Sequence, residues 1–528
     1  MQSYSLTVDK FLDHGATWFG ESGVTQAAAG EPDRRVSYAE IRERANRLSG
    51  ALLALGLEFG DRVGTLAWNT LHHFELYYAT MGVGLVCHTL NPRLTAAQIA
   101  AIVNEAEDRV LAVAIDLLPL ARELVQLCPS LRHVIVLDAS AEPGALGCDI
   151  PVWNYEELLA TNGAPAIWGA FDEHTPAGLC YTSGTSGAPK GVLYTHRSNY
   201  LHTLRSLQAD GYGTTARDVI LLAAPMFHAN GWGVPFTAPA VGARLVFPGR
   251  RTDGESLARL MREEDVTLAV GVPTVWIGLL DYLDGEGGDL PTLERVLIGG
   301  STAPAAFTRR LETRLRARVQ ASWGMTELSP LGTIAALASG SAADGNSGRP
   351  LIGLELKLTD AEGVPLPRQR GVIGHLHVRG ASVIDRYYKA ETDAVDADGY
   401  FDTGDLATID SAGNLTICGR SKDLIKSGGE WINPNEIETI VGAHPSVGAV
   451  AVVGRSDAKW GERPVLVVQP RNGHGLDPAA LLQTLRGKVA DWWIPDQVIE
   501  IAAMPLAATG KIDKKRLREQ FGAAESAR

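Results

Sequence analysis

A lysine at the end of a run of glycines and hydroxyl residues is the first chemistry the chain offers. The stretch is Tyr181-Thr182-Ser183-Gly184-Thr185-Ser186-Gly187-Ala188-Pro189-Lys190-Gly191. Apolar residues flank it, Gly178 to Cys180 before and Val192 to Tyr194 after, so it reads as a loop between two short strands. Glycines let successive backbone N–H groups turn toward one concave spot, which favours an anion. Thr182, Ser183, Thr185 and Ser186 add hydroxyls and Lys190 adds a charge, a set suited to a polyphosphate. The loop is not a Walker A motif: counting from Gly184, Pro189 stands where the second glycine belongs, and Gly191 follows Lys190 where Ser or Thr is required. On composition alone the same loop also reads as a linker.

Five more constellations follow, each with a plain reading beside it. Ala224-Pro225-Met226-Phe227-His228-Ala229-Asn230-Gly231-Trp232 sets a histidine at a strand end; histidines among apolar residues are commonly satisfied core groups, and Trp232 also reads as a core aromatic. Ile298-Gly299-Gly300-Ser301 ends another strand, where small residues let a flat ring approach the backbone. Ser322-Trp323-Gly324-Met325-Thr326-Glu327 carries one carboxylate, and one carboxylate plus substrate phosphates is the usual arrangement for Mg²⁺. In Tyr400-Phe401-Asp402-Thr403-Gly404-Asp405, Asp402 reads as a turn residue, while an ionised Asp405 can accept two hydroxyls. Gly419 to Trp431 reads as a charged turn followed by a glycine loop, and Pro505 to Lys515 as a loop leading into a basic helix face.

These six strings, in this order, resemble the adenylate-forming superfamily of acyl-CoA synthetases, luciferases and nonribosomal adenylation domains. The resemblance spans Tyr181 to Lys515. It implies a phosphate loop at Thr182, Ser183, Gly184, Thr185, Ser186, Gly187 and Lys190, and an adenine slot at Gly299, Gly300 and Ser301. Trp323, Gly324, Met325 and Thr326 would hold the nucleotide, Asp405 its ribose, and Arg420 and Lys426 its ribose or phosphate. Thr326, Glu327, His228 and Lys511 would be catalytic, with Thr182 and Glu327 holding Mg²⁺. His228, Trp232, Val270, Val272, Pro273 and Gly324 would line the acyl pocket, Trp232 as a gate. Ser427, Gly428, Gly429, Glu430 and Trp431 would line the coenzyme A entrance, and Lys422 would be the hinge. Ser186 and Trp323 fill positions where threonine and tyrosine also occur, a small departure. Leu66-Ala67-Trp68-Asn69-Thr70, Ile425 to Ile432 and Trp492-Trp493-Ile494-Pro495-Asp496 resemble the medium- and long-chain fatty-acyl-CoA synthetases within that superfamily.

The elements that must position these groups are legible from periodicity. Tyr38, Ile41, Ala45, Leu48, Leu52 and Leu55 recur at helical spacing; Arg62 to Ala67 reads as a buried strand, Leu71 to Met81 as a helix and Leu85 to Leu90 as a strand. Such alternation predicts parallel sheets covered by helices, here in two stretches, one reaching about Leu137 and one from about Asp218 to Val319. From about Ser347 to Gly419, short alternating strands and Asp-Gly turns predict a β-rich subdomain. The expected fold is α/β: an N-terminal domain over 1–419 with two helix-covered sheets plus that subdomain, a hinge at 420–424, and a small mobile α+β domain over 425–528 ending in a basic helix from about Lys511 to Gln520.

The 528 residues, 45% hydrophobic and 21% charged, are enough for more than one domain. A net charge of -13 argues against nucleic acid or an anionic membrane as principal partner. Five widely spaced cysteines without a CxxC pair fit free thiols in a reducing compartment. With no apolar run long enough for a bilayer and no signal-peptide pattern at Met1 to Asp13, a cytoplasmic protein is expected, and the subgroup's dimers allow a homodimer. The expected activity is ATP-dependent acid–thiol ligation through an acyl-adenylate, with AMP and pyrophosphate released and coenzyme A as acceptor, since little chain follows Lys511. The acid is expected to be a medium- or long-chain fatty acid; an aryl, arylalkenoic or methylthiopropionate-type acid is the alternative. A P-loop kinase and a non-catalytic nucleotide-binding homologue are the other classes, the first disfavoured by the Walker A mismatch and the second by the presence of Lys511 and Glu327.

Overall fold

The computed structural model describes residues 2–28, 33–137, 146, 149–182, 189–301, 305–337, 345–428, 430–471, 475–507 and 511–523. Among the described residues the strands form four sheets. The first has seven strands in the order Val152–Asn154, His133–Val136, Val110–Val113, Arg62–Leu66, Val86–Thr89, Pro176–Tyr181 and Gly191–Thr195. All neighbours pair in parallel except the last two, which form the hairpin that carries the phosphate-loop string. The second sheet has nine strands, and its middle (Arg318–Gly324, Arg295–Ile298, Leu268–Gly271, Val219–Leu222, Arg244–Phe247) is parallel throughout.

Strands such as Val110–Val113 are buried on both faces, which is why they read as continuous apolar runs. One apolar core holds Val63, Cys87 and Val110 of the first sheet together with Leu222, Leu245 and Leu297 of the second. The helix Leu71–Gly82 belongs to that core and is buried on every side; the Thr70 hydroxyl caps it by accepting from the His73 N–H. The carboxyl ends of the central strands, at Leu222, Gly271, Ile298 and Gly324, therefore carry the His228, Gly299 and Thr326 strings, the place where open α/β sheets bind ligands.

A four-stranded antiparallel sheet, Leu354–Thr359, Ile373–Gly380, Phe401–Ile409 and Leu415–Arg420, is the β-rich subdomain. Its core takes in Val192 and Tyr194 of the phosphate-loop hairpin and Trp323, so it packs directly on the nucleotide strings. The last strand runs through Arg420, a turn of 3₁₀ helix covers Ser421–Asp423, and the C-terminal sheet starts with Ile425–Ser427. That sheet is mixed, with Gln497–Glu500 parallel to Gly461–Pro470. The terminal basic helix is Lys514–Phe521 rather than a helix from Lys511: the Asp513 carboxylate accepts from the Arg516 N–H and caps the helix there. Lys511 instead closes a turn in which its carbonyl accepts from the Ala507 N–H at 2.7 Å.

Candidate active site

The described ends of the phosphate loop are locked to each other. Tyr181 pairs with Gly191, the Thr182 N–H donates to the Lys190 carbonyl at 2.9 Å, and the Lys190 N–H donates to the Thr182 hydroxyl at 3.3 Å. Ser183, Gly184, Thr185, Ser186 and Gly187 lie outside the described residues. The Lys190 ammonium stands 4.6 Å over the Tyr387 ring, and the Tyr387 hydroxyl donates to Glu327 Oε1 at 2.9 Å. Burial pushes the Glu327 carboxyl up; its own N–H, Tyr387, Arg420 and Lys190 oppose the rise. The neighbouring Thr326 carbonyl accepts from the Tyr194 hydroxyl at 2.7 Å, so the loop hairpin and the Thr326–Glu327 string are joined side chain to backbone.

Asp405 is held at both oxygens. The Trp323 indole N–H donates to Oδ2 at 2.9 Å and the Arg420 guanidinium pairs with Oδ1 at 2.8 Å. Each oxygen keeps a second lone pair, so the carboxylate is oriented without being used up. Burial raises its pKa; Arg420, Trp323 and Lys511 pull it back. Lys511 shares this cleft. Its side chain is open to water, yet protein surrounds it closely enough that burial, then Arg420, lowers its pKa to about 8, against the upward pull of Asp405 and Glu327. The fold thus brings Lys511, Asp405, Arg420 and Glu327 within electrostatic reach of one another, across some 180 residues of sequence.

His228 is half-buried on the same side, its pKa lowered to about 4 by burial, then by Lys511 and Arg93. It opens a turn in which Ala229, Asn230, Gly231, Trp232 and Gly233 all have positive φ, from 41° to 76°. Left-handed backbone costs a non-glycine residue roughly 1–2 kcal/mol, so neighbours must hold the turn. The Tyr212 hydroxyl donates to the Trp232 carbonyl at 2.8 Å, and Asn230 is buried against Gly178 and Cys180. The turn lays the Trp232 indole on Gly299 and Gly300: a Cβ at either position would sit 3.3–3.5 Å from the ring. At Gly300 the φ of +81° and the crowding both require glycine.

Val270 is a core residue of the strand Leu268–Gly271, Val272 immediately precedes the helix Pro273–Glu286, and Pro273 begins it. Ser301 is exposed after the glycine pair. Gly324 faces the Pro330 carbonyl, which accepts from the Met325 N–H at 3.0 Å.

On the C-terminal hairpin, the Lys426 ammonium lies over the Trp431 ring at 5.4 Å. Ser427 is buried and accepts from Arg463 at 3.3 Å, Glu430 and Trp431 are exposed, and Gly429 lies outside the described residues. The Gly428 N–H donates to the Trp460 carbonyl at 2.8 Å, with the indole of Trp460 directly over it. Lys422 sits in the 3₁₀ turn, exposed.

Four residues that the motifs did not single out for a role in the site take part in it: Tyr194, Tyr387, Trp460 and Asn69. Asn69 is buried, donates to the Leu222 and Ala224 carbonyls at 2.7 and 2.9 Å, and accepts from the Met226 N–H at 2.7 Å. It reaches from the first sheet to pin the segment that ends at His228. Only its place in the Trp68-Asn69 string hinted at this; Tyr387 and Trp460 carry no local signal.

Comparison with known proteins adds a decisive observation. The family described as AMP-binding enzyme matches residues 17–388, and its C-terminal domain matches 436–511. The chain belongs to the AMP-binding enzymes. A 3-methylmercaptopropionyl-CoA ligase of Ruegeria lacuscaerulensis is 41% identical over 99% of this chain and 98% of its own. A medium-chain-fatty-acid–CoA ligase of Ectopseudomonas oleovorans is also 41% identical, over 99% and 97%. The ATP-bound crystal structure of MatB from Rhodopseudomonas palustris superposes with a TM-score of 0.85 at 26% identity, over 98% of this chain and 99% of that one. This AMP-binding enzyme is an AMP-forming acyl-CoA synthetase. Among the described residues no helix is long and apolar enough to cross a membrane.

Proposed function

We propose that the ligase activates a medium- or long-chain fatty acid in two steps at the cleft between Glu327, Asp405 and Lys511. The observation that carries the reading is the convergence of Lys511 from the C-terminal unit on Asp405, Arg420 and Glu327 of the larger one. In the first step the acid's carboxylate oxygen attacks the α-phosphorus of ATP; the new bond is the acyl–phosphate anhydride and pyrophosphate leaves. Lys511 offsets the charge gathering where carboxylate meets phosphate, Thr326 hydrogen-bonds the α-phosphate, and Lys190 with the loop hydroxyls holds the departing pyrophosphate. Asp405 accepts the ribose hydroxyls and Arg420 steadies both. His228, neutral at physiological pH, donates or accepts beside the acyl carboxylate without adding charge. Positioning and fixed charge do the work.

Glu327 fits a divalent cation: it is a buried carboxylate that accepts from the Tyr387 phenol on one oxygen, and a carboxylate with substrate phosphates is the usual Mg²⁺ arrangement. Mg²⁺ held there neutralises phosphate charge. In the second step the thiol of coenzyme A attacks the acyl carbon and AMP leaves, the thiol entering past Ser427, Gly428, Glu430 and Trp431 after the C-terminal unit turns about Lys422. Free thiols at Cys87, Cys128, Cys180 and Cys418 suit a cytoplasmic enzyme of lipid metabolism, and a homodimer is part of the reading. The equal identity to the methylmercaptopropionyl-CoA ligase supports a second reading, a short thioether acid.

One assay tests both. The enzyme is given MgATP, coenzyme A and a panel running from 3-(methylthio)propionate through octanoate and palmitate to an arylalkenoate, and AMP, ADP and acyl-CoA are measured. Fatty acids of medium or long chain are expected to give the highest kcat/KM; a maximum at the thioether acid would replace the first reading by the second, and ADP as product would end both.

A further inference from the structure

The main chain of the Thr326–Glu327 string is pinned from three elements. The Tyr194 hydroxyl, from the phosphate-loop hairpin, donates to the Thr326 carbonyl at 2.7 Å. From the β-rich subdomain the Ile384 N–H donates to the Glu327 carbonyl at 3.0 Å and the Ser382 hydroxyl to the Leu328 carbonyl at 3.0 Å. From the helix His196–Ser206 the buried Arg205 guanidinium donates to the Leu328 and Leu331 carbonyls at 3.2 and 2.7 Å. With its backbone held in this way, Glu327 has only side-chain torsions left to settle, and they decide where its carboxylate points.

The segment that supplies Ile384 also supplies the group that settles them. The Tyr387 hydroxyl donates to Glu327 Oε1 at 2.9 Å. The Tyr387 ring carries the Lys190 ammonium 4.6 Å from its centre and meets Phe401 edge to face at 6.3 Å. The residues after it anchor the segment: the Tyr388 N–H donates to the Gly191 carbonyl at 2.8 Å, and the Lys389 ammonium donates to the Glu105 carbonyl at 2.8 Å and pairs with Glu107 at 2.9 Å. One half-buried side chain therefore touches both the loop lysine and the buried carboxylate.

We propose that Tyr387 is a positioning residue that sets the distance between the two positive charges of the polyphosphate site, its phenol aiming the Glu327 carboxylate at the divalent ion and its ring seating Lys190. The proposal rests on the reading of Glu327 as the group that holds that ion. A ligating carboxylate is itself hydrogen-bonded, and its partner fixes its orientation. A phenol suits the task because it keeps its proton at neutral pH and donates without bringing a charge that would compete with the metal. An exposed ammonium is held only weakly by a ring face, so Lys190 can leave Tyr387 for a phosphate when the nucleotide arrives.

The test is calorimetric and needs no turnover. Affinity of the full-length enzyme for α,β-methylene-ATP is measured with saturating Mg²⁺ and with EDTA, and the ratio reports how far the metal tightens binding. Tyr387→Phe keeps the ring for Lys190 and removes only the hydroxyl. It is expected to lose about ten- to a hundredfold of the metal's tightening, the usual cost of removing such a partner, with wild-type affinity for AMP and for the metal-free analogue. Tyr387→Leu should lose the same tightening and in addition bind the metal-free analogue more weakly. Glu327→Gln should lose at least as much tightening as Tyr387→Phe. Wild-type tightening in Tyr387→Phe beside a weakened Glu327→Gln overturns the assignment, and so does an equal loss of affinity for AMP, which would mark Tyr387 as packing. Equal metal-free affinity in the Phe and Leu variants refutes the part given to the ring. Wild-type tightening in Glu327→Gln overturns the metal reading itself, a different failure.

Discussion

Lys511 offers a prediction whose size follows from its surroundings. The cleft walls and the Arg420 guanidinium bring its ammonium to a pKa of about 8, while Asp405 and Glu327 pull the other way. The protonated form is the one that stabilises the adenylation transition state, so the rate must fall as pH rises through that value. At pH 9 only about a tenth of the free enzyme would carry the charge, whereas a lysine with the ordinary pKa of about 10.4 would still be mostly protonated. The pH dependence of kcat/KM reports free-enzyme ionisations. Acid-dependent ATP–pyrophosphate exchange, measured as kcat/KM for ATP, should therefore drop about tenfold per pH unit above 8. Under saturating ATP the fall should move to higher pH, because bound phosphates favour the ammonium. Lys511→Arg, always charged, should be slower at neutral pH but flat to about pH 10. Lys511→Ala should lose about 10²–10³ in rate while still binding ATP. A wild-type profile flat to pH 9.5, a Lys511→Arg variant with the same decline, or undiminished exchange by Lys511→Ala refutes the reasoning.

Trp232→Ala should change chain-length preference more than use of MgATP, since it removes the indole that lies on Gly299 and Gly300; methylene contacts are worth about 1–3 kcal/mol, so the shift should be graded along a homologous series, and uniform loss over all lengths would mark Trp232 as packing only. Lys422→Pro fixes one φ inside the Ser421–Asp423 turn, at the second helical position that Pro119 and Pro235 already occupy elsewhere in the chain. It should leave single-turnover acyl-AMP formation intact and severely slow thioester formation when coenzyme A is added; normal acyl-CoA output from the folded variant rules out the hinge. Asn433 donates from the C-terminal unit to the Cys418 carbonyl at 2.7 Å while its oxygen caps the helix Pro434–Gly442. Asn433→Asp keeps the cap and loses the donor, so adenylation should slow about three- to tenfold, the worth of one hydrogen bond, with thioester formation from preformed acyl-AMP unimpaired; equal loss in both steps would show the contact is not a latch.

Much of this was local enough to read from the chain. Buried parallel strands such as Val110–Val113 must be apolar on both faces, and the helix Tyr38–Ala54 must repeat apolar residues every three or four positions, so both appear as periodicity. Each string is also a short unit: the ends of the phosphate loop meet through Thr182 and Lys190, which are close in sequence. The basic helix was placed three residues early because a lysine-rich surface run has no apolar period to mark its start, and Asp513 decided it. What only the tertiary structure decided lies between strings. Tyr387 on Glu327, Trp323 on one oxygen of Asp405, the indole of Trp232 on Gly299 and Gly300, and Asn69 under the His228 segment each join residues dozens to more than a hundred positions apart. Local pattern sets which face of an element is apolar. Which distant side chain meets a given carboxylate depends on strand order and on how the sheets pack, and so does the depressed pKa of Lys511, because burial and neighbouring charge exist only once the chain has closed around it.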